Sequence, residues 1–234
     1  MAYISLIGDC HSSRILKEHL LNNEFDINFT VWSKGGMKLG YPNGFNPQVL
    51  FDKNKKSDGL EEKIKNIDNY YTTEFDKIKD RGVIIIWLGY IDIKLFLPKL
   101  NNSYEIINNS INNINNYFKN AKILFAEPLP QFKQFISIKE ENLEEINYEK
   151  RLQANNNFIN DLQNILKEKN MYPAIKQEEV KKIIGLAELD IKDTLPGINY
   201  NSKSYEILHD KDALLPEHYY KIYQLFIQKS LDIV

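Results

Sequence analysis

The sequence predicts a three-layer α/β/α domain built on a flavodoxin-like sheet of five parallel strands. Three observations carry that prediction. Short apolar runs recur at residues 3–8, 27–32, 83–88 and 122–126. Amphipathic segments of helical length separate most of them. The first and third runs end in Gly-Asp and Gly-x-x-Asp, the pattern of a buried strand opening into a loop. Strands that alternate with helices need long crossovers, and such crossovers cover a parallel sheet on both faces.

Taken in order, residues 3–8 read as the first strand. Ser12 or Ser13 can cap a following helix that runs to about Leu21, with Ile15, Leu16, His19 and Leu20 on one face. The second strand, 27–32, leads into Ser33-Lys34-Gly35-Gly36, and 40–48, with its two Pro and two Gly, reads as irregular. Residues 57–80 have the periodicity of a long amphipathic helix. The stretch 83–88 is the strongest strand signal. Residues 104–120 read as a helix, and 122–126 as a fourth strand stopped by Glu127-Pro128-Leu129-Pro130. A long helix is predicted over 143–170. Residues 171–205 are weakly patterned, with a fifth strand left open there, and 216–233 forms a closing helix with Pro216 at its first turn. No linker or repeat divides residues 1–234, so one domain is expected.

Composition narrows the function classes. With 43% hydrophobic and 26% charged residues the chain can build a full core. A net charge of -2 gives no general attraction to nucleic acid or an anionic membrane. The longest apolar run, 83–90, is far shorter than the ~20 residues of a membrane span. No basic segment precedes the first apolar run, which argues against a signal peptide. The lone Cys10 has no disulfide partner and points to a reducing, cytoplasmic setting or a chemical role. The 27 Lys against 3 Arg, and 27 Asn, are the usage of an AT-rich gene; the Asn cluster at 108–116 reads as surface filler on a helix. An Arg kept under that bias is less easily filler, and Arg14 adjoins the most informative motif. No His, Cys or carboxylate spacing suggests a metal site, and no phosphate-loop or dinucleotide pattern suggests a cofactor.

In a doubly wound sheet the working loops lie at the carboxyl ends of the strands, here 8–14, 33–38, 88–94 and 127–133. They hold Gly8-Asp9-Cys10-His11-Ser12, Gly35-Gly36 and Gly89-Tyr90-Ile91-Asp92, and near the end of the chain stands Asp210-Lys211-Asp212-Ala213-Leu214-Leu215-Pro216-Glu217-His218-Tyr219. The order and spacing of these blocks resemble the SGNH (GDSL-type) esterase and acyltransferase superfamily across the whole chain. The resemblance implies that superfamily's fold, with a nucleophile at the first block, an oxyanion donor from a Gly after strand two and from an Asn after strand three, and an Asp-x-x-His pair before the last helix. A nucleophile at a strand-to-helix turn has the N–H groups and partial positive charge of the helix start beside it. A Gly lets the backbone approach substrate closely.

Three positions depart from that pattern. Cys10 stands at the nucleophile; a thiolate can serve there, and a helix N-terminus lowers its pKa, although a lone cysteine can also be a small buried hydrophobe. Ile91 stands at the Asn and cannot donate, which leaves the amides of Cys10 and Gly36 as the oxyanion donors. With Asp210 as the triad acid, Ala213 stands where the His belongs; His218 is the alternative base. Three explanations fit: a degenerate module that binds a glycan or other ligand without turnover, a base supplied by His218 or His11, or an inactivating replacement of a natural His at 213, with Cys for Ser at 10.

Of the remaining residues, His11 can touch substrate or cap the first helix. Asp92 can fix the loop backbone near the site, and Lys94 and Arg14 can hold an anionic group. Glu127 reads as structural, and His19 and His209 as non-catalytic. The function implied is hydrolysis or transfer of a small acyl group, such as acetyl, on a carbohydrate, with a small-molecule or glycan ester as partner, no cofactor and no nucleic acid.

Overall fold

The computed structural model describes residues 1–22, 24–33, 39, 45–47, 78–95, 103–130, 148–185, 214 and 216–234. Four strands, β1 (Ala2–Gly8), β2 (Ile27–Ser33), β3 (Gly82–Trp87) and β4 (Ala121–Phe125), pair in parallel in the order β2–β1–β3–β4. Beyond β4, Ile175 forms one parallel bridge to Ala126; its N–H donates to the Phe125 carbonyl and its own carbonyl accepts from Glu127. Among the described residues the fifth strand is therefore a single bridge.

The helices are α1 (Cys10–Asn22), α2 (Tyr90–Leu95), α3 (Ser103–Tyr117), α4 (Tyr148–Glu168), α5 (Gln177–Ile184) and α6 (Pro216–Leu231). The period-2 alternation of buried strands sorts side chains into two apolar clusters, one per face. Ile4, Leu6, Val83, Ile85 and Trp87 pack with Ile15 of α1 and Tyr219, Tyr223 and Phe226 of α6. Ile7, Ile84 and Ile86 pack with Ile107, Ile111 and Ile114 of α3 and Phe158 and Leu162 of α4. Each such side chain contributes about 1.5–3 kcal/mol on burial. The architecture is a three-layer α/β/α sandwich.

Several expectations need correction. The segment 88–94 is not all loop: α2 starts at Tyr90, so Ile91, Asp92 and Lys94 lie on a short helix. Helix α1 begins at Cys10, which puts Ser12 and Ser13 inside it; Asp9 does the capping, because its position precedes the free N–H groups. The weakly patterned stretch 171–205 contains α5, whose signals were a Glu179 side chain reaching back to the Lys176 N–H and Gly185 at φ +76° after the last turn. The Asn-rich helix α3 is more than filler, since Asn113 donates to the Phe45 carbonyl and Asn112 accepts from Lys169. Of the predicted helix 57–80, residues 57–77 lie outside the described residues, and 78–80 are not helical.

Candidate functional site

The carboxyl ends of three strands stand level, with Gly8 opposite Ser33 on one side and Trp87 on the other. From Gly8 the chain passes through Asp9 and opens α1 at Cys10. Asp9 holds this turn with three bonds: its Oδ1 accepts the His11 N–H at 3.0 Å, and its carbonyl accepts the Ser12 N–H at 3.0 Å and the Ser33 hydroxyl at 2.5 Å. Gly8 is dictated by crowding. A Cβ there would lie 1.8 Å from Ser12 Oγ and 2.8 Å from the Trp87 carbonyl oxygen. The result is a rigid strand-to-helix turn, buried beneath, with residue 10 at the N-terminus of a 13-residue helix and its partial positive charge.

His11 is only 3% exposed. Its Nδ1 lies 2.7 Å from the Tyr219 hydroxyl, and its ring meets Tyr90 edge-on at 5.0 Å and tilts against Trp87 at 6.1 Å. The Tyr219 hydroxyl also accepts the Leu214 N–H at 3.2 Å. The space between His11, Asp9, Tyr90 and Leu129 is too tight to hold a water molecule. Arg14, half-buried one turn along α1, sets its guanidinium 5.9 Å from the centre of the Tyr219 ring.

Asp92 is buried, and its Oδ2 accepts the Leu39 N–H at 2.8 Å. The Leu39 carbonyl in turn accepts from the Ser110 hydroxyl and from the Phe45 N–H at 2.7 Å. Asp92 thus fixes backbone three residues past Gly36 in the chain. Its neighbour Ile91 belongs to the same apolar cluster as Leu129, Leu214 and Tyr219. Ile91 is therefore used for packing. Gly89, just before α2, adopts φ +113°, and a Cβ on it would lie 2.5 Å from the Phe158 ring.

Glu127 is structural in every group it carries. Its N–H donates to Ile175, and its carbonyl accepts from Trp87 Nε1 at 3.2 Å. Its carboxylate accepts from Gln163 Nε2 and from the Gln177 N–H, both at 2.6 Å. Gln177 Nε2 then donates to the Pro128 carbonyl at 2.7 Å and to Asn155 Oδ1 at 3.1 Å. These bonds fasten the loop after β4 to α4 and α5, and sequence reading found neither Asn155 nor Gln177.

The other candidates are placed as follows. His218 is the third residue of α6 and buried, directly before Tyr219. Lys94 lies in α2. Gly36, Asp210 and Ala213 lie outside the described residues. His19, at the far end of α1, pairs its Nδ1 with the Tyr223 hydroxyl at 2.7 Å, away from the strand ends. No three His, Cys, Asp or Glu side chains gather as a metal site among the described residues. No described helix is long and apolar enough to cross a membrane. A hollow of about 610 Å³ at the opposite edge of the sheet is lined by residues such as Phe118, Lys119, Ile123 and Tyr172. It presents no His, Cys, Ser or carboxylate and so no group for acyl chemistry.

The chain superposes along its whole length on solved lipases and acylhydrolases. A lipase/acylhydrolase from Enterococcus faecalis matches with a TM-score of 0.51 at 11% identity, covering 98% of this chain and 95% of that one. An extracellular lipase from Streptomyces rimosus matches at 0.52 and 9% identity, covering 98% and 100%. A protein described as a GDSL-like lipase, from Parabacteroides merdae, matches at 0.52 and 13%, covering 98% and 95%. The fold is that of the GDSL-type hydrolases. No family model matches the sequence, and no curated protein matches it. In this chain the turn that opens α1 at Cys10 follows the carboxyl end of β1.

Proposed function

We propose that this chain is an SGNH-type acyl-ester hydrolase or O-acyltransferase with an altered site, acting on a small acyl group such as acetyl on a carbohydrate. The observation that carries the reading is the turn Gly8-Asp9-Cys10, braced by Asp9 and Ser33 at the start of α1. The Cys10 thiolate attacks the acyl carbon, the carbonyl pair moves to oxygen, and the oxyanion rests on the amides of Cys10 and Gly36. Collapse forms the thioester and expels the alkoxide, which takes a proton from solvent. Deacylation needs a base to activate water or a sugar hydroxyl. Asp210 would orient an imidazole at 213, and Ala213 has none, so the thioester persists; His218 is the alternative base. Arg14 and Lys94 carry the charge to hold an anionic substituent on the glycan. The buried His11 and Asp92 support the site through their neighbours. A cytoplasmic location fits the lone cysteine.

Intact-mass spectrometry after incubation with 4-nitrophenyl acetate tests this. A single acetyl adduct, absent from Cys10→Ala, is the expected result. No adduct on a chain whose Cys10 still reacts with a thiol reagent would overturn it. The packing of Ile91 into the apolar cluster favours a second reading, a module that binds a glycan without turnover. Cys10→Ser combined with Ala213→His separates the two: the enzyme reading expects acetyl-esterase activity from that pair, and the module reading expects none.

A further inference from the structure

One hydroxyl joins two segments that the sequence sets far apart. Tyr219 Oη lies 2.7 Å from His11 Nδ1, 208 residues away in the chain, and accepts the N–H of Leu214. His11 directly follows Cys10, and the peptide group whose N–H is held belongs to the bond between residues 213 and 214. We propose that Tyr219 is a positioning residue, whose hydroxyl sets the register between the nucleophile turn and the position of the triad base. The proposal rests on the acyl-transfer reading above and assigns the group that keeps its two halves aligned.

Three features support this role. Tyr219 is 1% exposed, and its ring lies near His11, with centroids 6.1 Å apart, and 5.9 Å from the Arg14 guanidinium. The phenol is therefore fixed by packing before its hydroxyl chooses partners. Leu214 lies two residues before the first residue of α6, so its N–H is not one of the helix's own free donors that a capping side chain serves. Here it is met by an aromatic hydroxyl from inside the helix, which also holds the residue beside the nucleophile. Finally, the second His–Tyr pair on the same two helices, His19 with Tyr223, has no bond to loop backbone among the described residues. Fastening α1 to α6 needs only the His–Tyr bond, so the second bond of Tyr219, from the Leu214 N–H, serves something else.

The chain with Ala213 in place gives the first test. Nitrogen-15 NMR of its histidines is expected to show a hydrogen-bonded His11 Nδ1 whose signal moves in Tyr219→Phe and stays in place in Tyr223→Phe; a signal that moves in neither would overturn the bridge. In Tyr219→Phe the Leu214 amide is expected to exchange with solvent at least tenfold faster, the loss of one buried hydrogen bond, while Tyr223→Phe leaves it unchanged. Equal protection in both variants would sink the proposal. For the catalytic consequence, Ala213→His supplies the background. There, adding Tyr219→Phe is expected to lower kcat roughly tenfold to a hundredfold, the scale of a small misplacement, with KM within about twofold, and adding Tyr223→Phe to leave kcat unchanged. An unaltered kcat overturns the register role. An Ala213→His chain that is inactive with Tyr219 intact defeats the acyl-transfer reading instead, and the role assigned to Tyr219 with it. The His11 Nδ1 signal and the amide exchange then still decide whether the hydroxyl bridge exists.

Discussion

Helices α1 and α6 are joined by the same chemical pair twice, and the two copies do different work. His11–Tyr219 and His19–Tyr223 have equal imidazole-to-hydroxyl distances of 2.7 Å. The second pair lies at the far end of α1, against Phe29 and Phe25. Its burial pushes the His19 pKa down and the Tyr223 phenol up to about 12, so both stay neutral and serve as a clamp. The first pair lies at the strand ends, among Trp87 and Tyr90, and reaches the backbone of Leu214. The difference is one of neighbours. A polar pair between helices becomes part of a site only when it also holds chain that the chemistry needs.

Deleting each ring should separate the copies most strongly. His11→Ala empties a space enclosed by three aromatic side chains and leaves the Tyr219 hydroxyl short of a partner, a loss of about 3 kcal/mol. His19→Ala, at a more open place, should cost about 2 kcal/mol. Urea denaturation measures both, and equal costs would erase the distinction drawn here. Smaller is the coupling within each pair. A double-mutant cycle with His→Ala and Tyr→Phe should give about 1 kcal/mol for His19–Tyr223 and more for His11–Tyr219, whose hydroxyl has a further partner. A larger coupling in the His19 pair would reverse the ranking.

The gentlest test uses pH. The folded state holds the His19 pKa below its ordinary 6.5, so the unfolded chain binds the proton more readily. The stability due to its neutral ring is complete above that value and is lost as pH falls through 6.5 toward the folded pKa. Urea midpoints at pH 7.5 and 5.5 should therefore differ less in His19→Gln than in the parent chain. An unchanged difference would show that other groups carry the acid sensitivity.

The fold was legible wherever local pattern and tertiary role agreed. The runs at β1 and β3 are apolar because both faces of the sheet are covered, and each was read to within a residue or so. Helix α5 was missed because its eight residues present only Val180 and Ile184 as aliphatic core positions, too few for periodicity to stand out, although Glu179 and Gly185 marked its ends. At the site, the motifs pointed to the Gly8–His11 turn and to Asp92, both described after strand ends, whereas Gly36, Asp210 and Ala213 lie outside the described residues. The motifs could not identify partners. Nothing near Asp92 in sequence points to the Leu39 N–H, and nothing near Tyr219 points to His11, because such bonds are made by the topology and leave no local trace. Ile91 is the reverse case: its type excludes a hydrogen-bond donor at once, and its side chain lies in the apolar cluster.

The loop after β4 depends on Glu127, whose carboxylate is met by the amide of Gln163 and the backbone of Gln177. No lysine or arginine takes part in those two bonds. Dissolved ions compete with exposed pairs such as Lys229–Glu179, but they have little purchase on a buried carboxylate held by neutral donors. This wall of the site should therefore keep its shape from dilute buffer to strong brine, while the ion pairs on the outer helices come and go.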